Sequence, residues 1–464
     1  MIGVHLNRRV FAGTTALALG ALAGVAVGLF GVGGAAAQRQ AEPALPPLLE
    51  ATHLPPLLTA RGEPVELRYD VFCGAGDEEA ASRAECDASG TAFVRAGDAG
   101  RFEQIPLRVD ASASEGRYVA AVPSAIAQSP DGFSYYATFR DGSSGVEISS
   151  PPGAGDAPER SLPLGRSVDV HLGRHVFGRI REPDAVVVRA AWGDGPDQVG
   201  LEQGRNLTPI GGSSFDVDRA GNVTVLDETH KRLLRFAERD GVTSRTPLAV
   251  DGTIADMAVA DDGKIYVLDS SSPSPKPLLR AFAPDGSALG SVESAERAAQ
   301  VRLGPAGAVL LQEPSDQWMD AAAGGRLLAP DSQRKSGRSG RPLPGGGDVV
   351  VLRRGNEIRV ATVSGHRVVR SWRVTSETPI AEVQLAEPRG AGLVLVARVY
   401  TDDQDEFVVL VLDAKRLVRS FSLDSADWAE TAPLSKFRLV GSSLYQLGST
   451  AAGLFVDRFE LEGN

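Results

Sequence analysis

Residues 213–236 read SSFDVDRAGNVTVLDETHKRLLRF, and residues 256–282 read DMAVADDGKIYVLDSSSPSPKPLLRAF. Both contain Gly-x-[Val/Ile]-x-Val-Leu-Asp followed by Leu-Leu-Arg and an aromatic residue. The glycines, Gly221 and Gly263, stand 42 residues apart, and Gly307 in RLGPAGAVLL follows 44 later. A second marker, two aliphatic residues then Arg and an aromatic, occurs around Arg235, Arg280, Arg370 and Arg419 at steps of 45, 90 and 49. One unit between Arg280 and Arg370 therefore lacks it, and VDRF at Arg458 and Phe459 reads as a degenerate last copy.

The strands around these markers follow the two-residue apolar alternation of sheets. First strands carry Phe215/Val217, Met257/Val259, Val301/Leu303, Val350/Leu352, Val383/Leu385 and Phe437/Leu439. Second strands carry Val223/Val225, Ile265/Val267, Val309/Leu311, Ile358/Val360 and Leu393/Leu395, while the sixth has Leu444 followed by Gln446. These are six units of 40 to 50 residues. Self-similar multi-stranded units of this length predict a six-bladed β-propeller over 153–464. One such sheet cannot bury both faces, whereas neighbours in a ring cover one another. DAVVVRAAW, from Asp184, is expected to complete the last sheet beside GLFVDRFEL.

The stretch from residue 193 to 286, with its Gly-rich loop, Gly-x-aliphatic-x-Val-x-Asp and Arg–aromatic strand, resembles the NHL-type repeat. That resemblance implies a ring-shaped binding platform used for protein, sugar or nucleic-acid contacts, with some enzymes among its members. The third unit departs from the pattern at DAAAGGRLLAPDSQRKSGRSGRPLPGGG, which reads as a solvated insertion. Its Arg334, Lys335, Arg338 and Arg341 are the residues there that would dock an acidic ligand.

Ahead of the repeats, Val65, Leu67, Tyr69 and Val71 alternate with polar residues. Ile105, Leu107 and Val109 do the same, with Pro106 marking an edge strand. Phe133, Tyr135, Ala137 and Phe139 repeat the pattern before the turn RDGSSG. These predict a β-sandwich over 65–152, and DGFSYYATFRDGSSGVEISSPP resembles immunoglobulin-like modules of bacterial exported proteins. The segment has no Trp, and its cysteines are too close in sequence for the inter-sheet bridge of a true immunoglobulin domain. Residues 38–64 are Pro-rich and read as a spacer.

Residues 1–37 read as an export signal: Arg8 and Arg9, an uncharged stretch from Val10, then Ala35-Ala36-Ala37. Arg8, Arg9 and Phe11 resemble a twin-arginine signal, and the same apolar run is long enough to serve as an uncleaved N-terminal anchor. In an exported chain Cys73 and Cys86 form a local disulfide. The chain is therefore expected in the periplasm, outside the cell or on the envelope, touching membrane only through that first segment.

Net charge is −11, which excludes a nucleic-acid partner needing a basic footprint. Asp227 and Asp269 each end Val-Leu-Asp, and their recurrence marks them as caps of the strand exit. The residue before each first-strand pair varies instead: Ser214, Asp256, Gln300, Val349, Glu382 and Lys436. The polar five of these, Ser214, Asp256, Gln300, Glu382 and Lys436, are expected at one mouth of a central channel, where differences among repeats write a binding specificity. Asp256, Gln300 and Glu382 also resemble the ligand set of calcium-dependent lactonase propellers, which makes calcium the one cofactor to consider. WGDGPDQVG and YTDDQDEF concentrate further acids, and the second reads as a hairpin turn. Gly-x-Ser-x-Gly, phosphate-loop and His-Glu-x-x-His motifs are absent. His230 reads as a solvated turn residue. The sequence thus points to an exported binding or scaffold protein with an unknown protein or carbohydrate ligand, the alternative being a calcium-assisted hydrolase or lactonase.

Overall fold

The computed structural model describes residues 48–74, 87–112, 116–204, 208–237, 241–250, 254–270, 276–314, 317–365, 367–430 and 435–462. All of them belong to one compact unit, Leu45–Asn464. The export segment 1–37, the start of the spacer and Cys86 lie outside the described residues. Among the described residues no helix is long and apolar enough to cross a membrane.

Two N-terminal sheets share one core. The first pairs Leu48–His53, Glu66–Gly74, Arg117–Ala121 and Arg108–Val109 in that order. The second runs Leu58–Thr59, Glu159–Pro163, Phe133–Asp141, Ala88–Ala96 and Glu103–Pro106, with Glu147–Ser150 also on Phe133–Asp141. Leu67, Tyr69 and Val71 from one sheet pack against Ala92, Val94, Tyr135 and Phe139 from the other. Cys73 joins that core and is not a free thiol.

The expected spacer is part of the fold: Leu48–His53 and Leu58–Thr59 are both strands, and Glu159–Pro163 extends the sandwich beyond residue 152. The expected single strand through Ile105, Leu107 and Val109 is two short strands on opposite sheets. Pro106 brings no N–H to a ladder, and at Leu107 the chain crosses over while its N–H still bonds Gly90 O at 3.0 Å.

Beyond residue 164 the chain builds a β-propeller. The first sheet is Ser214–Val217, Val223–Asp227, Arg232–Ala237 and Gly241–Pro247; the second is Ile254–Val259, Ile265–Asp269, Leu278–Phe282 and Ala288–Glu293. The third comprises Gln300–Leu303, Val309–Gln312, Trp318–Ala323 and Arg326–Leu327, and the fifth Ile380–Arg389, Gly392–Tyr400, Asp405–Leu412 and Leu417–Asp424. The expected first and second strands are all found. The repeated glycines turn the hairpin between them: Gly221 and Gly263 have φ of 85° and 82°, open to glycine at little cost.

Two sheets borrow a strand. The sixth, Phe437–Val440, Ser443–Thr450 and Gly453–Glu460, is completed by Ala185–Ala191, with Ala185 opposite Arg458. The fourth, Arg341–Pro342, Asp348–Arg354, Glu357–Ser364 and Arg367–Thr375, has no outer strand of its own, because the chain passes straight to Ile380. Val168–His171 fills that edge in parallel. Between these two strands, His175 and Gly178 N–H bond Glu406, and Arg181 N–H bonds Ser422 O, so residues 168–191 strap three sheets. The Arg–aromatic marker lies on third strands at Arg235 and Arg280 and, counting from the repeat's first strand Asp348–Arg354, at Arg370, but Arg419 lies on the fourth strand of its sheet. That shift explains its irregular step.

The sheets bury their apolar faces against one another. Leu226 and Leu233 meet Met257 and Val267 between the first and second sheets, and Leu268 and Leu279 meet Val301 and Met319 between the second and third. Val360 and Trp372 meet Leu395 and Leu410, Val396 and Val409 meet Phe437 and Phe459, and Leu447 and Val456 meet Phe215 and Leu234. The face of the fourth sheet turned away from the fifth, with Val350, Ala361 and Val363, is covered by Leu57, Leu58, Leu162 and Leu164 of the N-terminal sheets.

This shared core makes the N-terminal sheets and the propeller one cooperative unit. Leu58 is fully buried, and Leu58→Ala is expected to cost about 3 kcal/mol of unfolding free energy. Urea curves followed by tryptophan fluorescence, which reads only the propeller, and by far-UV circular dichroism, which reads both parts, should coincide for the native chain. Separate transitions would show that the leucines do not couple them.

Candidate functional site

The innermost strand of a propeller sheet is an edge strand, with backbone N–H and C=O groups turned to the axis and no neighbour to take them. Asp256 answers this directly. It is wholly buried, and one carboxylate oxygen accepts the Val301 N–H at 2.9 Å and an Arg302 Nη1 donor at 3.2 Å. The other accepts the hydroxyls of Ser214 and Ser435, each at 2.6 Å. A bulge at Ala255 sets Asp256 into this position, a common use of bulges in sheets.

Two residues along the first strand, Asp216 accepts the N–H of Val259 at 2.8 Å and of Val217 at 2.9 Å. Arg302 and Arg438 complete the cluster. Arg302 donates to Val301 O at 2.8 Å and Arg438 to Phe437 O at 2.9 Å. Arg438 lies 3.7 Å from Asp216 and 3.8 Å from Asp256, over the Phe215 ring. Burial raises the Asp216 pKa against the pull of Arg438 and its backbone donors. Burial and the neighbouring Arg438 lower that of Arg302 to about 9. Two acids and two arginines thus balance in charge while the acids take edge N–H groups and the arginines edge carbonyls.

Of the residues singled out in the sequence, the structure brings Ser214 and Asp256 into contact. Glu382 and Lys436 belong to a separate, more open group. Glu382 stands 3.7 Å from Arg398, which also binds Asp405. Lys436 pairs with Asp427 and lies 5.5 Å from the Phe407 ring centroid. Burial and Arg398 lower its pKa to about 8, against the pull of Glu382, Asp405 and Asp424. Gln300 is buried opposite Gln312, and Val349 is in the core between the fourth and fifth sheets. Asp256 and Glu382 therefore have different partners and do not form the expected calcium set. Among the described residues no three His, Cys, Asp or Glu side chains are grouped to hold a metal ion.

Asp216, Arg302 and Arg438 were not singled out in the sequence. The signal was present: side chains two apart on a strand share a face, so the position after each first apolar residue lines the same axis as the position before it.

The Val-Leu-Asp acids are structural, as expected. Asp227 is fully buried and accepts from Gly200 N–H at 3.0 Å, His230 Nδ1 at 2.8 Å and Arg232 Nε at 2.8 Å; Asp269 accepts from Arg280 Nε at 2.6 Å. His230 is not simply solvated. Burial disfavours its charge, but hydrogen bonds to Asp227 and to Asp194 of WGDGPDQVG outweigh that and raise its pKa. His175 Nε2 bonds Glu406 at 2.8 Å and lies 3.5 Å from Ser422 Oγ. Because one ring nitrogen makes both contacts, this is not a relay that could activate the serine. The basic insertion is anchored: Arg334 to Glu296, Arg338 to Asp320 and Arg341 to Glu387. Trp192 and Trp428, half-buried, stand 6.1 Å apart at 32° beside exposed Asp194. Trp192 is fixed by its Nε1 bond to Thr450 O at 2.8 Å.

No protein-family model matches the chain, and no curated protein matches it. Among solved structures, hydrazine synthase of Kuenenia stuttgartiensis is 12% identical with a TM-score of 0.33, covering 54% of this chain and 80% of its own. Virginiamycin B lyase from Staphylococcus aureus is 9% identical at 0.32, covering 55% and 96%. A protein of unknown function from Bacteroides thetaiotaomicron is 9% identical at 0.33, covering 90% and 98%. Similarity at this level assigns no activity.

Replacing Asp256 tests the axis. Asp256→Ala leaves two hydroxyls, a backbone N–H and an arginine without their acceptor and is expected to cost about 4 kcal/mol. Asp256→Asn should fall between, since the serine hydroxyls can turn to accept while the Val301 N–H and Arg302 cannot. Urea unfolding of both variants checks the order.

Proposed function

We propose that the chain is an exported, non-catalytic binding or scaffold protein of the bacterial cell envelope. On this reading its six sheets are the blades of a closed NHL-like ring, and the N-terminal sheets are an immunoglobulin-like module fixed to it. Residues 1–37 are a removed signal and Cys73–Cys86 a local disulfide. The observation that carries the reading is the state of Asp256: wholly buried, with both oxygens taken by groups from the first-strand regions of three other sheets. An acid so placed holds sheets together and has no capacity left for substrate or metal.

Ligand recognition then belongs to the loop face rather than the axis. The Trp192–Trp428 pair supports this, because rigid aromatic surface beside exposed polar groups suits a carbohydrate or protein partner. The partner is not a nucleic acid.

Thermal melting with calcium and with a chelator tests the non-catalytic reading. The expected result is one melting temperature in both, with Asp256→Ala lowering it equally. A calcium-dependent rise that disappears in Asp256→Ala and Glu382→Ala would favour the metal-assisted hydrolase instead. Mass spectrometry of the exported protein is expected to give an N-terminus at Gln38, and a retained first segment would make it an anchored protein.

A further inference from the structure

The seam where the N-terminal sheets meet the propeller is chemically lopsided. Toward the fourth sheet it is held by charge and apolar burial. Glu63 binds Arg359 at 2.6 Å and Arg354 at 2.8 Å, and Arg359 also donates to Leu58 O at 2.8 Å. Ser371 donates to Leu164 O at 2.7 Å, beside the four covering leucines.

Toward the third sheet the contact is a buried acid facing another acid. Glu159 is 9% exposed, accepts a hydrogen bond from the Gln317 side-chain amide, and feels the Glu313 carboxylate. Among the described residues no cation pairs with it; the adjacent Arg160 is committed to Asp98. The groups that face it from the sandwich supply no charge. Tyr69 and Tyr135 are buried, and burial with the Glu159 carboxylate raises both their pKa values. His53 stacks on Tyr69 at 4.2 Å and bonds the Tyr135 hydroxyl at 2.9 Å. Burial lowers the His53 pKa to about 4, so the ring is neutral near pH 7. The Tyr69 hydroxyl is buried and makes no hydrogen bond to Glu159 or to any other group among the described residues. A further contact on this side, Ser339 Oγ to Arg160 O, is a long 3.4 Å.

We propose that Glu159 is a proton-operated latch: protonated, it docks the sandwich on the Glu313–Gln317 end of the third sheet, and ionised, it releases that edge while the Glu63–arginine anchor keeps the sandwich on the fourth sheet. A buried carboxyl with a second carboxylate nearby and one neutral donor favours its proton, and loss of that proton adds repulsion and a desolvation penalty to the same contact. The two causes, burial first and Glu313 second, raise the Glu159 pKa to about 7 from 4.5. The docked state thus holds the proton more tightly than the unfolded chain. The contact is at full strength below pH 4.5, weakens as pH rises, and is released above about 7. Glu63, with its pKa lowered through Arg359 and Arg354 against the effect of burial, stays ionised over this range.

Hydrogen–deuterium exchange of the exported chain at pH about 5 and about 8.5, corrected for intrinsic rates, tests the latch. Strands Val309–Gln312 and Trp318–Ala323 are expected to exchange at least about tenfold faster at the higher pH, while Glu357–Ser364 is unchanged. Glu159→Gln, which keeps a neutral side chain at either pH, should be protected at both. Equal protection of the third-sheet strands at the two pH values overturns the proposal, as does parallel loss in Glu357–Ser364. If Glu159→Gln does not fold, Glu313→Gln takes its place: removing the opposing carboxylate must shrink the pH effect, and an undiminished effect would also overturn it.

Discussion

A sheet that is apolar on both faces has to be covered on both, and this requirement organises the molecule. The second strand of the fifth sheet, GLVLVARVY, makes it plain: Leu393 and Leu395 turn to the fourth sheet, Val394 and Val396 to the sixth. Five such interfaces join propeller sheets directly. The face of the fourth sheet turned away from the fifth is closed by leucines from the N-terminal domain. At about 25 cal/mol per Å² of apolar surface removed from water, leaving it open would be a large loss for a marginally stable fold. The sandwich is therefore a structural member of the propeller, and the Pro-rich run Leu54–Leu57 serves to aim Leu57 and Leu58 rather than to hold two bodies apart.

The axis answers a different requirement. Inner edge strands present backbone donors and acceptors that no neighbouring strand takes, and water is the usual remedy. Here Asp256 and Asp216 take N–H groups of the next sheets, at Val301 and Val259, while Arg302 and Arg438 cover carbonyls. Burying four charges is costly unless they are paired and hydrogen-bonded; each here lies beside an opposite charge and makes hydrogen bonds, although Arg438 Nη2 is left without a hydrogen-bond partner among the described residues. The same geometry that makes the cluster stable removes it from chemistry. Acids at a propeller axis invite a catalytic reading from sequence, and the decisive property, whether their lone pairs are already taken, depends on partners some 40 residues or more away.

Much of the propeller was legible because its signal is local and repeated. The period placed every first and second strand, and the apolar run from Ala185 marked the strand that completes the sixth sheet. Three features were not legible. Val168–His171 carries only two alternating valines, too little to show that it would add to the fourth sheet in parallel. The leucines at 57–58 fell in the expected spacer and those at 162 and 164 were not singled out, because nothing in the repeats announces an uncovered face. The move of the Arg–aromatic marker to a fourth strand at Arg419 follows from two long strands ahead of it, which periodicity alone does not distinguish from a longer turn. Of the candidate site, the first-strand register named Ser214 and Asp256, which the structure brings into contact, but choosing one position per repeat omitted Asp216, Arg302 and Arg438 on the same strands.

The strap has a consequence for how the fold is reached. Val168 pairs with Trp372, and Ala185 with Arg458, so the fourth and sixth sheets cannot complete their outer edges until nearly the whole chain is present. Loop-closure entropy grows only logarithmically with length, so these long-range pairings cost little more in stability than short ones would. Their cost falls on rate: non-local strand pairing is slow, and until it happens Arg367–Thr375 and Gly453–Glu460 remain open edges. The first, second, third and fifth sheets have no such dependence, being built from consecutive strands. The physical order that follows is assembly of the self-contained sheets first and closure by residues 168–191 last.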